Sequence, residues 1–135
     1  VGWSGPMQRA FAATAARLGL ETRPEWLRSD LHPLQADSGE RQFRALQAAG
    51  PLPDGVLVGD VHLLEGFAGA AGSSIPRLVS HSFTGTTVAA PPGASLLEVD
   101  TAEFGRQAHV ALARLIAGET VDRHIVLPPR LIPAP

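Results

Sequence analysis

The stretch "PDGVLVGDVHLLEG" (residues 53–66) sets a strand, an acidic turn and the start of a helix side by side. "GVLVG" (55–59) is an unalternated apolar run, the pattern of a strand buried on both faces of a parallel sheet. A helix is expected from about 61 to 71, with Leu64, Phe67, Ala68 and Ala71 turned inward. Asp60 stands between the two. An aspartate after a strand and before a helix is the usual N-cap, worth ~1 kcal/mol. The carboxyl ends of strands in an open α/β sheet are also where ligands bind. Both roles are open to Asp60, and they are compatible.

Upstream, residues 6–19 carry Met7, Phe11, Ala15 and Leu18 at helical spacing, with Pro6 suited to the first turn and Gly19 to the stop. An irregular segment with two prolines follows, with a short strand expected near 20–23. Asp37 is expected to cap a second helix, with Glu40 as its capping-box partner, Phe43 and Leu46 on one face, and Gly50 and Pro51 ending it. Downstream, "PRLVSH" (76–81) and "SLLEV" (95–99) read as strands, joined by a loop over 82–94 rich in Gly, Thr and Pro. Asp100 starts a helix to about 117, again with a glutamate (Glu103) three residues on. Its apolar stripe is Phe104, Ala108, Ala111, Leu112 and Leu115, and Gly118 stops it. The closing "RHIVLPPRLIP" contains Pro128 and Pro129, so it belongs at a sheet edge or outside a sheet. This alternation predicts an α/β fold, a mostly parallel sheet with flanking helices.

The composition sets the class. At 135 residues the chain is long enough for one domain with a real core, and 44% hydrophobic with 18% charged residues is ordinary for a soluble globular protein. A net charge of −2 leaves no basic footprint for nucleic acid, so any contact with DNA would need residues outside this chain. There are no cysteines, which excludes disulfides and thiolate metal sites. All eleven basic residues are arginine, a compositional hint of a GC-rich bacterial genome. No run approaches the ~20 apolar residues of a membrane span, and no signal peptide opens the chain. The first residues, "VGWSGP", read as the tail of a strand and its loop. The expectation is a piece of a longer, soluble, cytoplasmic protein.

Motifs that could carry catalysis are weak. "GFAGAAG" (66–72) ends a helix instead of opening one, so its small residues suit close helix packing and not a phosphate loop. His32, His62, His81, His109 and His124 are scattered without a two-histidine i, i+4 pair, and no metal site is expected. Ser80 and Ser82 flank His81, but "VSHSFTG" lacks the first glycine of a nucleophile elbow, so these serines read as structural or ligand-contacting. His32, Asp60 and His81 are the one cluster that a small α/β enzyme could use. No cofactor is implied.

The chain as a whole resembles the second half of the effector-binding core of lactose-repressor-type (LacI/GalR family) transcription regulators, whose fold is shared with periplasmic sugar-binding proteins. "MQRAFAATAARLGL" is similar to the family's arginine-containing helix with its glycine–aromatic pair. "PDGVLVGDVHLLEG" looks like its "P-x-A-V-x-x-x-N-D-x-x-A-x-G" segment, and "IPRLVSHSF" like the strand that normally reads "V-S-V-V-G-F-D-D". The most specific part is the ending, where "PPGASLLEVDTAEFGRQAHVALARLIAGE…IVLPPRLI" resembles "P-P-L-T-T-V-x-Q-…-G-x-x-A-…-L-L-…-I-x-G-…-L-P-P-x-L-V". Essentially all 135 residues are covered.

The resemblance implies a truncated, periplasmic binding protein type I-like fold, mainly the C-terminal subdomain. That subdomain would take about 1–85 and 122–135, with about 95–118 forming a strand and helix that cross to the N-terminal one. It implies the ligand-sensing, homodimer-forming core of a bacterial repressor, not an enzyme, which meets DNA only through an N-terminal region outside this chain. Its partner would be a small-molecule effector, a sugar or another metabolite, and no membrane. At the family's effector-site positions this chain carries Met7 for the arginine (with Arg9 nearby), Leu31 for a stacking aromatic, Gly59 for the asparagine, the retained Asp60, and Ser82 for the late aspartate. These six are the candidate ligand-binding residues. The usual polar sugar-binding set is thus largely gone, which implies a less polar effector or a core that serves mainly to dimerise. The rival readings are a periplasmic sugar- or solute-binding protein of the same fold and a small α/β enzyme.

Overall fold

Strand β1 (Gly55–Val58) closes one residue before the apolar run of 55–59 ends, and helix α3 (Val61–Ala71) follows after Gly59 and Asp60, as the pattern predicts. Before them come α1 (Ser4–Arg17), a 3₁₀ turn (Pro24–Trp26) and α2 (Ser38–Ala48). After them come β2 (Arg77–Phe83), β3 (Ala94–Val99), α4 (Thr101–Ile116) and β4 (Arg130–Ile132). The computed structural model describes residues 4–28, 35, 37–75, 77–87 and 90–134.

The four strands form one sheet in the order β1-β2-β3-β4. The first three are parallel, with Val56 opposite Leu78 and Leu78 opposite Ala94. β4 returns antiparallel along β3, with Leu131 opposite Leu97. The double proline just before β4 is tolerated there because an edge strand needs only one row of ladder donors. The α/β reading with a mostly parallel sheet therefore holds.

The core lies on one face of the sheet. Phe43 and Leu46 of α2 and Leu64, Phe67 and Ala71 of α3 are buried with Val58, Leu78 and Ala94. The Phe43 and Phe67 rings meet edge to face at 5.6 Å, a geometry that adds to area burial. The two helices touch through glycines. A Cβ added to Gly39 would lie 2.2 Å from the Leu63 carbonyl oxygen and 2.7 Å from the Phe67 nitrogen, and one on Gly66 would lie 3.3 Å from the Glu40 nitrogen. Gly66, the first residue of "GFAGAAG", thus does serve helix packing.

Three expectations need correction. Residues 20–23 form no strand; the chain runs instead into the 3₁₀ turn, pinned by Trp26 Nε1 donating to the Pro51 carbonyl at 3.1 Å and by Arg23 stacked 4.9 Å over the indole. Asp37 precedes α2 but makes no capping hydrogen bond, because its backbone (φ −97°, ψ 5°) is not the extended form that aims an N-cap side chain at the helix amides. It pairs with Arg41 at 3.3 Å, and Glu40 pairs with Arg44 instead of closing a capping box. β1 is buried at Val58 alone, since it is an edge of the described sheet and α3 packs on only one of its faces. The apolar stripe of α4 is helical as expected and lies uncovered: none of its residues is buried, and Phe104, Leu112 and Leu115 are about 60% exposed.

Candidate ligand site

Because β1, β2 and β3 run parallel, their carboxyl ends share one edge of the sheet, and α3 and α4 both start from it. Asp60 leaves β1 in extended backbone and caps α3, its Oδ1 accepting from the His62 backbone N–H at 2.9 Å. The same oxygen is 2.8 Å from Nδ1 of the His62 ring. A carboxylate offers only acceptors, so the ring proton belongs on Nδ1 and Nε2 faces away from the pair. Asp100 caps α4 in the same manner, with Oδ1 accepting from Ala102 and Glu103 at 2.9 and 3.0 Å.

The loop leaving β2 is tied down at this edge. Thr84 donates to the Val99 carbonyl from both its backbone N–H (2.9 Å) and its hydroxyl (3.0 Å), and Thr101 Oγ1 donates to the Thr84 carbonyl at 3.1 Å. Just inside α4, Arg106 grips Glu103 at both carboxylate oxygens (2.6 and 2.7 Å), and Gln107 adds a third bond at 2.8 Å. These bonds, Arg106 foremost, lower the Glu103 carboxyl to about 2.

The candidate residues separate on this frame. Met7, from the first turns of α1, reaches the end of β1: its Cε is 2.8 Å from where a Cβ on Gly59 would sit. Met7, Gly59 and Asp60 are thus brought together. Arg9 is exposed, with its guanidinium folded back 3.5 Å from a Cβ built on Gly5. Ser82 is 3% exposed, on the covered face of β2 opposite Glu98. Ser80, on the same face, donates to the Val58 carbonyl at 2.9 Å and so fastens β2 to β1. His81 points to the other face, edge-on to Phe83 at 4.7 Å. Leu31 and His32 lie outside the described residues. Reading the sequence misses His62 as a member of this site. The Asp-x-His spacing at a helix start was its only local signal, since a side chain in the first turn can fold back onto the cap.

A separate groove of about 310 Å³ runs between the later turns of α4 and residues 121–126, lined by Gln107, Arg114, Asp122 and His124 among others. None of the candidate residues lines it, and Arg114 there is already bonded to Glu119 (2.8 Å) and to the Thr120 carbonyl (3.1 Å).

Against known families, the model of the periplasmic binding protein-like domain matches residues 1–133. The chain belongs to this family. No curated protein matches it. Among solved structures, this periplasmic binding protein-like domain is similar to a LacI family transcriptional regulator from Bifidobacterium animalis subsp. lactis. Identity is 24% and the TM-score 0.73, over 93% of this chain and 47% of that one. It is also similar to a transcriptional regulator, CelR, in complex with cellobiose. There identity is 22% and the TM-score 0.67, over 93% of this chain and 40% of that one. At these identities the likeness is one of fold, and the domain spans less than half the length of either.

Proposed function

We infer that this domain is part of the ligand-sensing and dimerisation core of a bacterial LacI-type transcription regulator, with DNA contacts made by a segment outside the 135 residues. The observation that carries the reading is the uncovered stripe of α4. Phe104, Leu112 and Leu115 sit at helical spacing on a well-capped helix yet remain about 60% exposed, as suits a helix that crosses to a second subdomain. Residues of about 1–85 and 122–135 would then form one lobe, and the strand ends with Met7, Gly59 and Asp60 one wall of an effector cleft. Both named structural neighbours are transcriptional regulators, and one is bound to a disaccharide. Closure of two lobes on an effector would shift a dimer between arrangements of different DNA affinity. The role is one of binding, in the cytoplasm, with no chemical step and no cofactor.

The test uses the full-length protein in a thermal-shift screen against metabolites, paired with a DNA-binding assay. A ligand at a hundred times its dissociation constant adds ~2.7 kcal/mol of stability, and the same ligand should change DNA affinity. A stabilising ligand with no DNA binding in any state would instead favour a solute-binding protein of the same fold.

A further inference from the structure

Met7 is the one methionine of the chain. It is 39% exposed, and its terminal methyl occupies the space that a side chain at residue 59 would need. The long side chain at 7 and the missing one at 59 are therefore complementary: each is possible because of the other. Around them most polar groups are already bonded. Asp60 Oδ1 holds two donors from His62, Ser82 is buried, and the hydroxyls of Thr84 and Thr101 are bound to backbone carbonyls. Among the described residues, what this edge offers a ligand is the Met7 thioether, the Gly59 backbone, the second oxygen of Asp60 and the exposed His62 ring. That set is an apolar, polarizable surface with acceptors beside it. Sugar hydroxyls need donors as well as acceptors in a dry site. A flat aromatic ring, in contrast, packs well on a thioether, and a ring N–H suits the neighbouring acceptors.

We propose that Met7 and Gly59 act as one specificity-setting pair, and that the ligand class recognised at this edge is a planar heteroaromatic group bearing an N–H, not a polyhydroxylated sugar. This rests on the sensing role inferred above. The test labels the chain with ε-¹³C-methionine, which yields a single methyl resonance, and titrates it separately with indole and with cellobiose. Indole should move the resonance upfield by its ring current, saturably, and cellobiose should leave it in place. Gly59→Ala should displace the flexible methyl, shifting its resonance in the free protein and weakening the indole response severalfold, with the far-ultraviolet circular dichroism unchanged. A saturable response to cellobiose overturns the ligand class while leaving the sensing role intact. No response to either probe overturns the site itself, and the full-length thermal-shift screen then judges the sensing role independently. A methyl resonance and indole response unchanged in Gly59→Ala overturn the pairing. Should that variant lose its fold, the wild-type titration decides alone.

Discussion

Replacing Gly39 by alanine tests the packing on which the whole core depends. In most helices this substitution is favourable, since alanine is the better helix former by up to ~1 kcal/mol. Here the new methyl carbon would stand 2.2 Å from the Leu63 carbonyl oxygen and 2.7 Å from the Phe67 nitrogen. Both are backbone atoms of α3, so no side chain can swing aside. Carbon atoms of this kind do not approach within 3.0 Å, so α2 must retreat by at least about 0.8 Å. That retreat loosens the Phe43–Phe67 contact and opens space around Leu64, which is fully buried. Overpacking of this type costs about 1–3 kcal/mol. Gly39 sits in the first turn of α2, where little propensity gain offsets that cost. The expected net loss is about 2 kcal/mol, or a fall in Tm of roughly 6–10 °C for a chain of this size. Gly69→Ala, on the exposed side of α3 with nothing within 4 Å of the added carbon, should instead stabilise by about 0.5–1 kcal/mol. Urea and thermal unfolding of both variants provide the measurement. A Gly39→Ala protein as stable as the parent would refute the close α2–α3 contact.

Three further outcomes follow from the caps, the charges and the exposed stripe. Asp100→Ala removes both cap bonds of α4 and should cost about 1 kcal/mol, whereas Asp37→Ala removes only an exposed ion pair and should cost under ~0.5 kcal/mol; equal losses in urea unfolding would contradict the cap geometry. Glu103 is held at about 2 in the folded chain against an ordinary 4.5, so its contribution is complete above pH 4.5 and disappears as pH falls towards 2. Glu103→Gln should therefore show a shallower loss of stability than the parent over that window, and parallel curves would exclude the Arg106 grip. Light scattering should give this isolated chain a mass above the 14.1 kDa monomer at high concentration, because Phe104, Leu112 and Leu115 are exposed together. Leu112→Glu with Leu115→Glu should restore the monomer, and a clean parental monomer would count against an apolar docking face on α4.

The elements were legible where local chemistry sufficed. Asp60 and Asp100 sit between apolar runs and helices, and each caps the helix that follows it. Gly19 and Gly118 stop α1 and α4 with positive φ (69° and 77°), each followed by a backbone bond that reaches back five residues. Hydrophobic spacing located β1, β2, β3 and all four helices. Asp37 shows the limit of such reasoning: it has the right residue type and spacing, but its backbone conformation is not that of an N-cap, and its carboxylate pairs with Arg41 instead.

By itself, then, the sequence determined the alternation of strands and helices, the parallel order that follows from it, and the candidates Met7, Gly59 and Asp60 one by one. Tertiary structure alone decided which of them meet. Met7 lies on the first helix and Gly59 at the end of a strand far along the chain, and no local pattern records that the methyl of one fills the space left by the other. Likewise Ser82 and Ser80 look alike in "VSHSF", and the pleat of β2 turns both into the core while His81 faces the other side. A strand's alternation is written in the sequence, but which face is covered depends on where the helices pack. The meeting of Met7 with Gly59 at the strand ends is a product of that packing.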